Sequence, residues 1–295
     1  MFRIATLCVV LYCSVASAQQ VDSPQGASAV VEVIKFDFQQ FYSSYSKILD
    51  KYVDLRGRVD YLKLKENHLD LDSFVESLKK LSKTEFDSWE EKEKIALWVN
   101  AYNALTLKVV VDNYPIKPSA LKSAAFPSNS IRQIVGAWTG FKHEVMGRSL
   151  TLDEIANTIL RNDFKEPRFH LAVCPAAVGA AMLRREVYLG TSLDSQLASQ
   201  AKYFFIDPAK FYLDQEGKQV LISPIFDWYA SDFVKLYPEL PQFKRYSKEV
   251  SAILQFVTTY LAEDEAGYIK TRPLKVSFLE FDWNLNDQEP SKSYY

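Results

Sequence analysis

One long segment constrains the fold more than any other. Residues 88–114, SWEEKEKIALWVNAYNALTLKVVVDNY, repeat apolar side chains at spacings of three and four, which predicts a long α-helix. Ser88 is the expected N-cap, the glutamates that follow favour the positive end of the helix, and Pro115 marks its exit. The stripe that should face the core consists of Ile95, Trp98, Ala101, Tyr102, Leu105 and Val109.

Two amides interrupt the apolar surface of this helix. Asn100 and Asn103 are three residues apart and therefore neighbours on one side. They either orient a catalytic group or cap buried backbone. The second interpretation is favoured, because a buried amide must be hydrogen-bonded whatever the protein does.

The rest of the pattern predicts an α+β fold. Apolar spacing indicates a helix-rich N-terminal half, and Thr151-x-x-Glu154 is a capping box that opens a further helix. The segments KQVLIS and PLKVSFLEF, both in the C-terminal half, predict strands of a small, mostly antiparallel sheet. We expect a single domain over residues 31–286 and a frayed tail over 287–295, beginning in the stretch NDQEPSKSYY.

The N-terminus predicts export. One basic residue, an apolar run from Ile4 to Val15 and the sequence Ala16-Ser17-Ala18 form a signal peptide over residues 1–18. The run is shorter than the ~20 residues that span a bilayer. Residues 19–30 are small and polar and predict a flexible tether. We therefore expect a soluble periplasmic or secreted protein without a transmembrane segment.

Composition excludes two classes of protein. The chain is 48% hydrophobic and 24% charged, which is typical of a globular protein and not of a disordered one. No basic block offers a phosphate-binding stripe, and acidic residues outnumber basic ones by 37 to 35, so a nucleic-acid partner is not expected.

Signal cleavage would remove Cys8 and Cys13, leaving Cys174 with no partner for an internal disulfide.

The segment RFHLAVCP brings a histidine and this cysteine close in sequence. Its aromatic and β-branched residues predict a strand, and CPAAVGAAMLRR predicts a helix with Cys174 at the N-cap, where the helix dipole would stabilise a thiolate. In a strand, His170 and Cys174 would be roughly 13 Å apart, too far for proton transfer. A catalytic Cys174 would then use His143 or His68 as its base.

Structural interpretations of the same residues remain open. A free cysteine is often a small buried hydrophobe, and His170 is equally consistent with a hydrogen-bonded core residue. The aromatic residues around Trp228 and Trp283 line either a groove or the core. The three histidines are widely separated, and no Walker loop, G-x-G-x-x-G or G-x-S-x-G motif occurs, so no metal or other cofactor is expected.

Several segments together resemble the bacterial members of domain-of-unknown-function family 547, over roughly residues 89–286. The segments are LWVNAYNALTLKVVV, GRSLTLDEIANTILR, EPRFHLAVCPAAVGAAMLRREVYLGTSLDSQL, SPIFDWYASDF and VSFLEFDWNLND. The residues that match the family's motifs are Trp98, Asn100, Tyr102, Asn103, Ala104, Leu105, Pro167, Arg168, His170, Ala172, Leu183, Arg184, Tyr188, Asp282, Trp283, Leu285 and Asn286. The resemblance implies a pocket with Asn100, Asn103, Asn157, Arg168 and Arg184 as binding or orienting residues, on a fold of papain or transglutaminase type.

The chain departs from the family at its cysteine and glutamate–histidine positions, the groups from which the resemblance would imply a thiol-dependent hydrolase or transferase. Members read I-E-H where this chain has Ile155-Ala156-Asn157. The family's two cysteines fall on Pro175 and Ala180, with Cys174 one residue early. A one-residue shift restores the first cysteine, but no shift restores the second.

Two functional hypotheses follow. The first is a non-catalytic binding or accessory protein with a peptide, glycan or protein partner in the cell envelope. The second is a thiol-dependent hydrolase or transferase that uses Cys174, with His143 or His170 as base. A third, weaker option is carboxylate chemistry in the same pocket.

Overall fold

The computed structural model describes residues 36–119, 122 and 124–288, so the predicted signal peptide and tether lie outside the described residues. The first α-helices are α1 (Phe38–Phe41), α2 (Ser43–Tyr52), α3 (Tyr61–Glu66), α4 (Leu69–Lys80), α5 (Lys83–Asp87), α6 (Glu91–Asn113) and α7 (Arg161–Asp163). They are followed by α8 (Leu193–Ile206), α9 (Ile225–Trp228), α10 (Ala230–Val234), α11 (Lys248–Val257) and α12 (Glu263–Thr271). Short 3-10 helices cover Ile131–Gln133, Pro167–Leu171, Gly190–Ser192 and Pro241–Phe243, and a π-helix covers Glu154–Leu160.

The strands form two small sheets. β1 (His143–Val145) and β2 (Arg148–Leu150) are an antiparallel hairpin. In the second sheet, β3 (Phe211–Asp214) pairs antiparallel with β4 (Gln219–Ile222), and β4 pairs in parallel with β5 (Lys275–Phe278). Helices dominate and two of the three strand pairings are antiparallel, which confirms the predicted α+β class.

The long helix α6 lies at the centre of the larger core. It begins later than predicted, because Glu90 and not Ser88 is the N-cap, in a capping box with Glu93. Nearly every residue from Ile95 to Val111 is buried, so the helix is covered on all sides and not only along one stripe. Its partners include α3, α4 and the π-helix.

A second core packs α8, α10 and α11 over the three-stranded sheet. Phe226, Phe233 and Phe256 are fully buried in it, with ring centroids 4.9 to 5.8 Å apart. Such aromatic pairs add to the free energy of burial beyond their area. The candidate site draws residues from the margins of both cores.

The strand predicted over Arg168–Cys174 is wrong. Pro167 begins a 3-10 helix that runs to Leu171, and the Glu166 side chain caps it by accepting from the Arg168 N–H at 3.1 Å. The predicted helix after Cys174 is also wrong. The backbone there pairs with the C-terminal segment: Val178 N–H donates to Asn284 and Gly179 N–H donates to Asp282.

Residues 286–288, at the start of the polar C-terminal stretch, are held by hydrogen bonds, whereas residues 289–295 of the predicted tail lie outside the described residues. The backbone N–H of Asn286 donates to Ala176, Asp287 pairs with Val59, and the Gln288 side chain donates to the carbonyls of Tyr52 and Arg58 at 3.0 Å. These contacts join residues that are distant in sequence, so the polar composition of residues 286–288 does not reveal them. In the described part of the chain, no helix has the length and apolarity needed to cross a membrane.

Candidate functional site

An aromatic cavity of about 510 Å³ lies beside His170. Its volume is in the range of ligand pockets, about 300–1,000 Å³. The aromatic lining residues are Tyr102, Trp138, Phe169, Trp228, Tyr229, Phe281 and Trp283. The remaining lining includes the polar or charged residues Lys122, Arg132, Thr139, Asp153, Asn157 and His170, and the small residues Ala156, Pro175 and Ala180.

The C-terminal segment supplies one wall of this cavity. Trp283 packs on Phe281 with ring centroids 4.4 Å apart, and on Trp138 and Trp228 at 6.2 Å. Gly179 permits the close approach of this segment, since a Cβ at that position would lie 2.7 Å from the backbone nitrogen of Asp282. Trp283 is thus held in the wall by the backbone pairing that replaces the predicted helix.

His170 is buried against this cavity and paired with a carboxylate. Its Nε2 lies 3.0 Å from Asp232 Oδ2, and its ring stacks on Tyr229 with centroids 3.9 Å apart. Burial lowers the pKa of the imidazole and outweighs the opposing effect of Asp232. A neutral His170 donates from Nε2 to Asp232, which leaves Nδ1 as an acceptor.

Asp232 has three basic partners. Besides His170, Arg161 Nε lies 2.7 Å from Oδ2 and Lys235 Nζ lies 3.4 Å from Oδ1. Burial alone would raise the pKa of Asp232, but the bonds from His170 and Arg161 lower it to about 2. The carboxylate therefore stays ionised and fixes the orientation of the imidazole.

Cys174 lies in a different environment and is not among the residues that line the cavity. The thiol is buried, and Asn286 Nδ2 lies 3.6 Å from Sγ. Burial raises its pKa to about 11, against the weaker effect of the Ala176 and Ala177 N–H groups. Among the described residues, no contact joins Cys174 to His170.

The two amides of α6 cap buried backbone, as the favoured interpretation predicts. Asn100 accepts from the N–H of Tyr188 at 3.0 Å and donates to its carbonyl at 2.8 Å. Asn103 accepts from the N–H of Cys174 at 2.7 Å and donates to the carbonyl of Ala172 at 3.0 Å. Both hold irregular backbone against the central helix.

Of the other predicted binding residues, only Asn157 lines the cavity, where it donates to Asp153 at 2.8 Å. The Arg168 side chain makes two bonds to Glu166 and one to Asp194, and these acids raise its pKa against the opposing effect of burial. Arg184 pairs with Glu186 and donates to Ser199 at 2.9 Å. Neither arginine lines the cavity.

The remaining histidines also lie elsewhere. His143 is in β1, and its Nε2 is buried without a hydrogen-bond partner among the described residues. Burial lowers its pKa, although Asp112 opposes that effect. His68 is half-exposed at the start of α4 and lies 2.6 Å from Asp72. Neither lines the cavity or has a described contact with Cys174.

Arg132 is a cavity residue that sequence reasoning missed. It lies in the 3-10 helix Ile131–Gln133, where the Ser130 hydroxyl caps its backbone N–H. The neighbouring Gln133 is buried and donates to the carbonyls of Phe126 and Pro127, which fixes the preceding loop against the cavity. No local sequence motif predicts that Arg132 lines the cavity, because its neighbour Trp283 is distant in sequence.

The described residues contain no group of three or more His, Cys, Asp or Glu side chains placed to hold a metal ion.

Residues 86–205 match the family model described as "Protein of unknown function, DUF547". The match covers α6, the 3-10 helix that carries His170 and most of α8, and it supports the family resemblance. No curated protein and no solved structure matches the chain.

Proposed function

We propose that this chain is a divergent bacterial member of the DUF547 family, exported from the cytoplasm, that binds a ligand in the aromatic cavity without catalysing a reaction. Its partner would be a peptide, a glycan or a protein in the cell envelope. The signal sequence over residues 1–18 supports export. The cavity suits an apolar or aromatic moiety of such a partner.

One observation carries this proposal: the positions at which the chain departs from the family line the same cavity. By the family resemblance, Ala156 and Asn157 stand at the positions of glutamate and histidine, and Ala180 stands at the position of the second cysteine; all three line the cavity. Pro175, at the first cysteine position in the unshifted register, lines it as well. His170 is retained. Alanine, asparagine and proline, none of which is a nucleophile or a general base, therefore line the cavity at these positions.

The buried thiol gives little support to the thiol-dependent alternative. A nucleophilic cysteine needs a lowered pKa and access to substrate, whereas the pKa of Cys174 is raised to about 11 and the side chain is buried. Its described polar neighbour is Asn286, an amide that cannot accept the thiol proton as a general base.

The His170–Asp232 pair favours a second candidate, which is acid–base catalysis at the cavity. A carboxylate that orients an imidazole is the arrangement of many general bases. Here the neutral ring offers Nδ1 as the proton acceptor. This candidate is independent of Cys174 and would be lost on replacing His170 or Asp232.

Ligand binding is tested by filling the cavity. We expect 1-naphthaleneacetamide, a neutral aromatic probe, to bind saturably in isothermal titration calorimetry. Ala156→Phe places a ring in the cavity and should weaken binding at least tenfold. Ala209→Phe, at an exposed position, is the matched control and should leave the dissociation constant within twofold. Equal binding by both variants contradicts the proposal, as does the absence of saturable binding by this probe and by charged probes of the same shape.

The absence of catalysis is tested in parallel with p-nitrophenyl acetate and a fluorogenic peptide mixture. We expect the native protein and His170→Gln to hydrolyse both at the same background rate. Turnover that is abolished by Cys174→Ser would favour the thiol enzyme instead. Turnover that is abolished by His170→Gln but kept by Cys174→Ser would favour the acid–base candidate.

A further inference from the structure

We propose that Arg132 makes the aromatic cavity selective for ligands that carry a single carboxylate group on an aromatic or apolar body. The inference rests on the proposed function, because it assumes that the cavity is a binding site. It adds the chemical class of the ligand and names the residue that selects it.

The guanidinium of Arg132 is surrounded by aromatic rings. Its Cζ lies 4.2 Å from the ring centroid of Trp283, 5.0 Å from that of Phe126 and 5.3 Å from that of Trp138. Arg132, Trp138 and Trp283 all line the cavity. The rings attract the cation through their faces but supply no hydrogen-bond acceptor for its N–H groups.

Arg132 has no carboxylate partner among the described residues. By contrast, Arg161 pairs with Asp232, Arg168 with Glu166 and Arg184 with Glu186. The Nε of Arg132 is buried without a hydrogen-bond partner in the described structure. Burial also lowers the pKa of the guanidinium, as expected for a cation that has lost part of its hydration. A carboxylate from a ligand in the cavity would supply the anionic partner that the guanidinium lacks among the described residues.

The other charges of the cavity favour a ligand with one negative charge. Lys122 adds a second cation to the lining, and Asp153 adds one anion. Asp153 accepts a bond from Asn157 and makes no ion pair with Arg132. The lining thus carries a net charge of one positive unit, and Asp153 would repel a second carboxylate. The flat faces of Trp138 and Trp283 suit an aromatic body beside the anion.

The test uses three probes of similar shape and different charge: 1-naphthaleneacetate, 1-naphthaleneacetamide and 1-naphthylmethylammonium. Dissociation constants would be measured by calorimetry on the full protein at low ionic strength. We expect the native protein to bind the carboxylate at least tenfold more tightly than the amide, and the ammonium most weakly. Arg132→Gln should bring the carboxylate within twofold of the amide.

Two further variants sharpen the comparison. Arg132→Lys keeps the charge but loses the planar fork, so its preference for the carboxylate should fall at least threefold. If Arg132→Gln does not fold, the carboxylate preference of Arg132→Lys tests the proposal instead. Arg185→Gln is the matched control, because Arg185 pairs with Asp50 on the surface and does not line the cavity. It should keep the native preference.

The outcomes separate this inference from the proposed function. Equal binding of the carboxylate and the amide by the native protein overturns the anion selectivity and leaves the binding cavity standing. A preference that survives Arg132→Gln also overturns it, and would assign the selectivity to Lys122. Failure of all three probes to bind overturns the inference together with the proposed function.

Discussion

Replacing Asn103 with alanine should destabilise the protein strongly, because this side chain satisfies two buried backbone groups. It accepts from the Cys174 N–H at 2.7 Å and donates to the Ala172 carbonyl at 3.0 Å. Asn103, Ala172 and Cys174 are 2%, 1% and 4% exposed, so water cannot replace either bond. The alanine variant leaves both groups unpaired.

The magnitude follows from those two groups. Each unsatisfied buried donor or acceptor costs about 1–3 kcal/mol, so Asn103→Ala should lower the free energy of unfolding by about 2–6 kcal/mol. For a chain of this size, 1 kcal/mol corresponds to about 2–4 °C in Tm. Urea unfolding followed by circular dichroism measures the loss, with the midpoint falling while the slope against urea stays constant.

Two other asparagines of α6 serve as comparisons for Asn103→Ala. Asn113 is exposed at the end of the same helix and donates only to Val109, so Asn113→Ala should change stability by less than about 0.5 kcal/mol. Asn100→Ala removes an equivalent pair of bonds from Tyr188 and should cost as much as Asn103→Ala. A loss below about 1 kcal/mol for Asn103→Ala, or an equal loss for Asn113→Ala, would refute the reasoning.

Two further predictions concern titratable groups. Because the pKa of Cys174 is raised from its ordinary 9.0 to about 11, thiolate at neutral pH should be about 100-fold scarcer than in a free thiol. Labelling of the native protein by Ellman's reagent should therefore be at least that much slower than labelling in urea, and rapid native labelling would contradict the burial. The lowered pKa of His170 means that the unfolded chain binds more protons below about pH 6.5, so stability should decrease as the pH falls from 7 to 5. His170→Gln should reduce that decrease, whereas an unchanged slope would assign it to His143, whose pKa is also lowered.

Sequence patterns among neighbouring residues were enough to predict the long helix α6 and the capping box. The apolar spacing of α6 and the Thr151–Glu154 capping box need only neighbouring residues, and both are present. The capping role of Asn100 and Asn103 was predictable because burial of an amide requires a partner, although the sequence could not identify Tyr188 and Cys174 as those partners.

The strand and helix predicted around Cys174 were wrong because the structure of this segment depends on residues distant in sequence. Small residues after a proline favour a helix start, yet residues 176–179 pair with the backbone of 282–286, about a hundred positions away. Arg132 was missed for the same reason. Its guanidinium contacts Trp283, which is distant in sequence and belongs to the C-terminal segment held by that pairing.

The C-terminal segment also gives Cys174 a structural role. Asn286 directs one amide hydrogen toward the thiol at 3.6 Å and another to the Gly57 carbonyl at 3.2 Å, while its oxygen accepts from the Tyr61 hydroxyl at 2.8 Å. The same backbone run carries Trp283 into the cavity wall. A small, buried and weakly polar side chain fits against this amide without needing to ionise. The free thiol is thus accounted for by the anchoring of the segment that builds the cavity, and its presence requires no reaction.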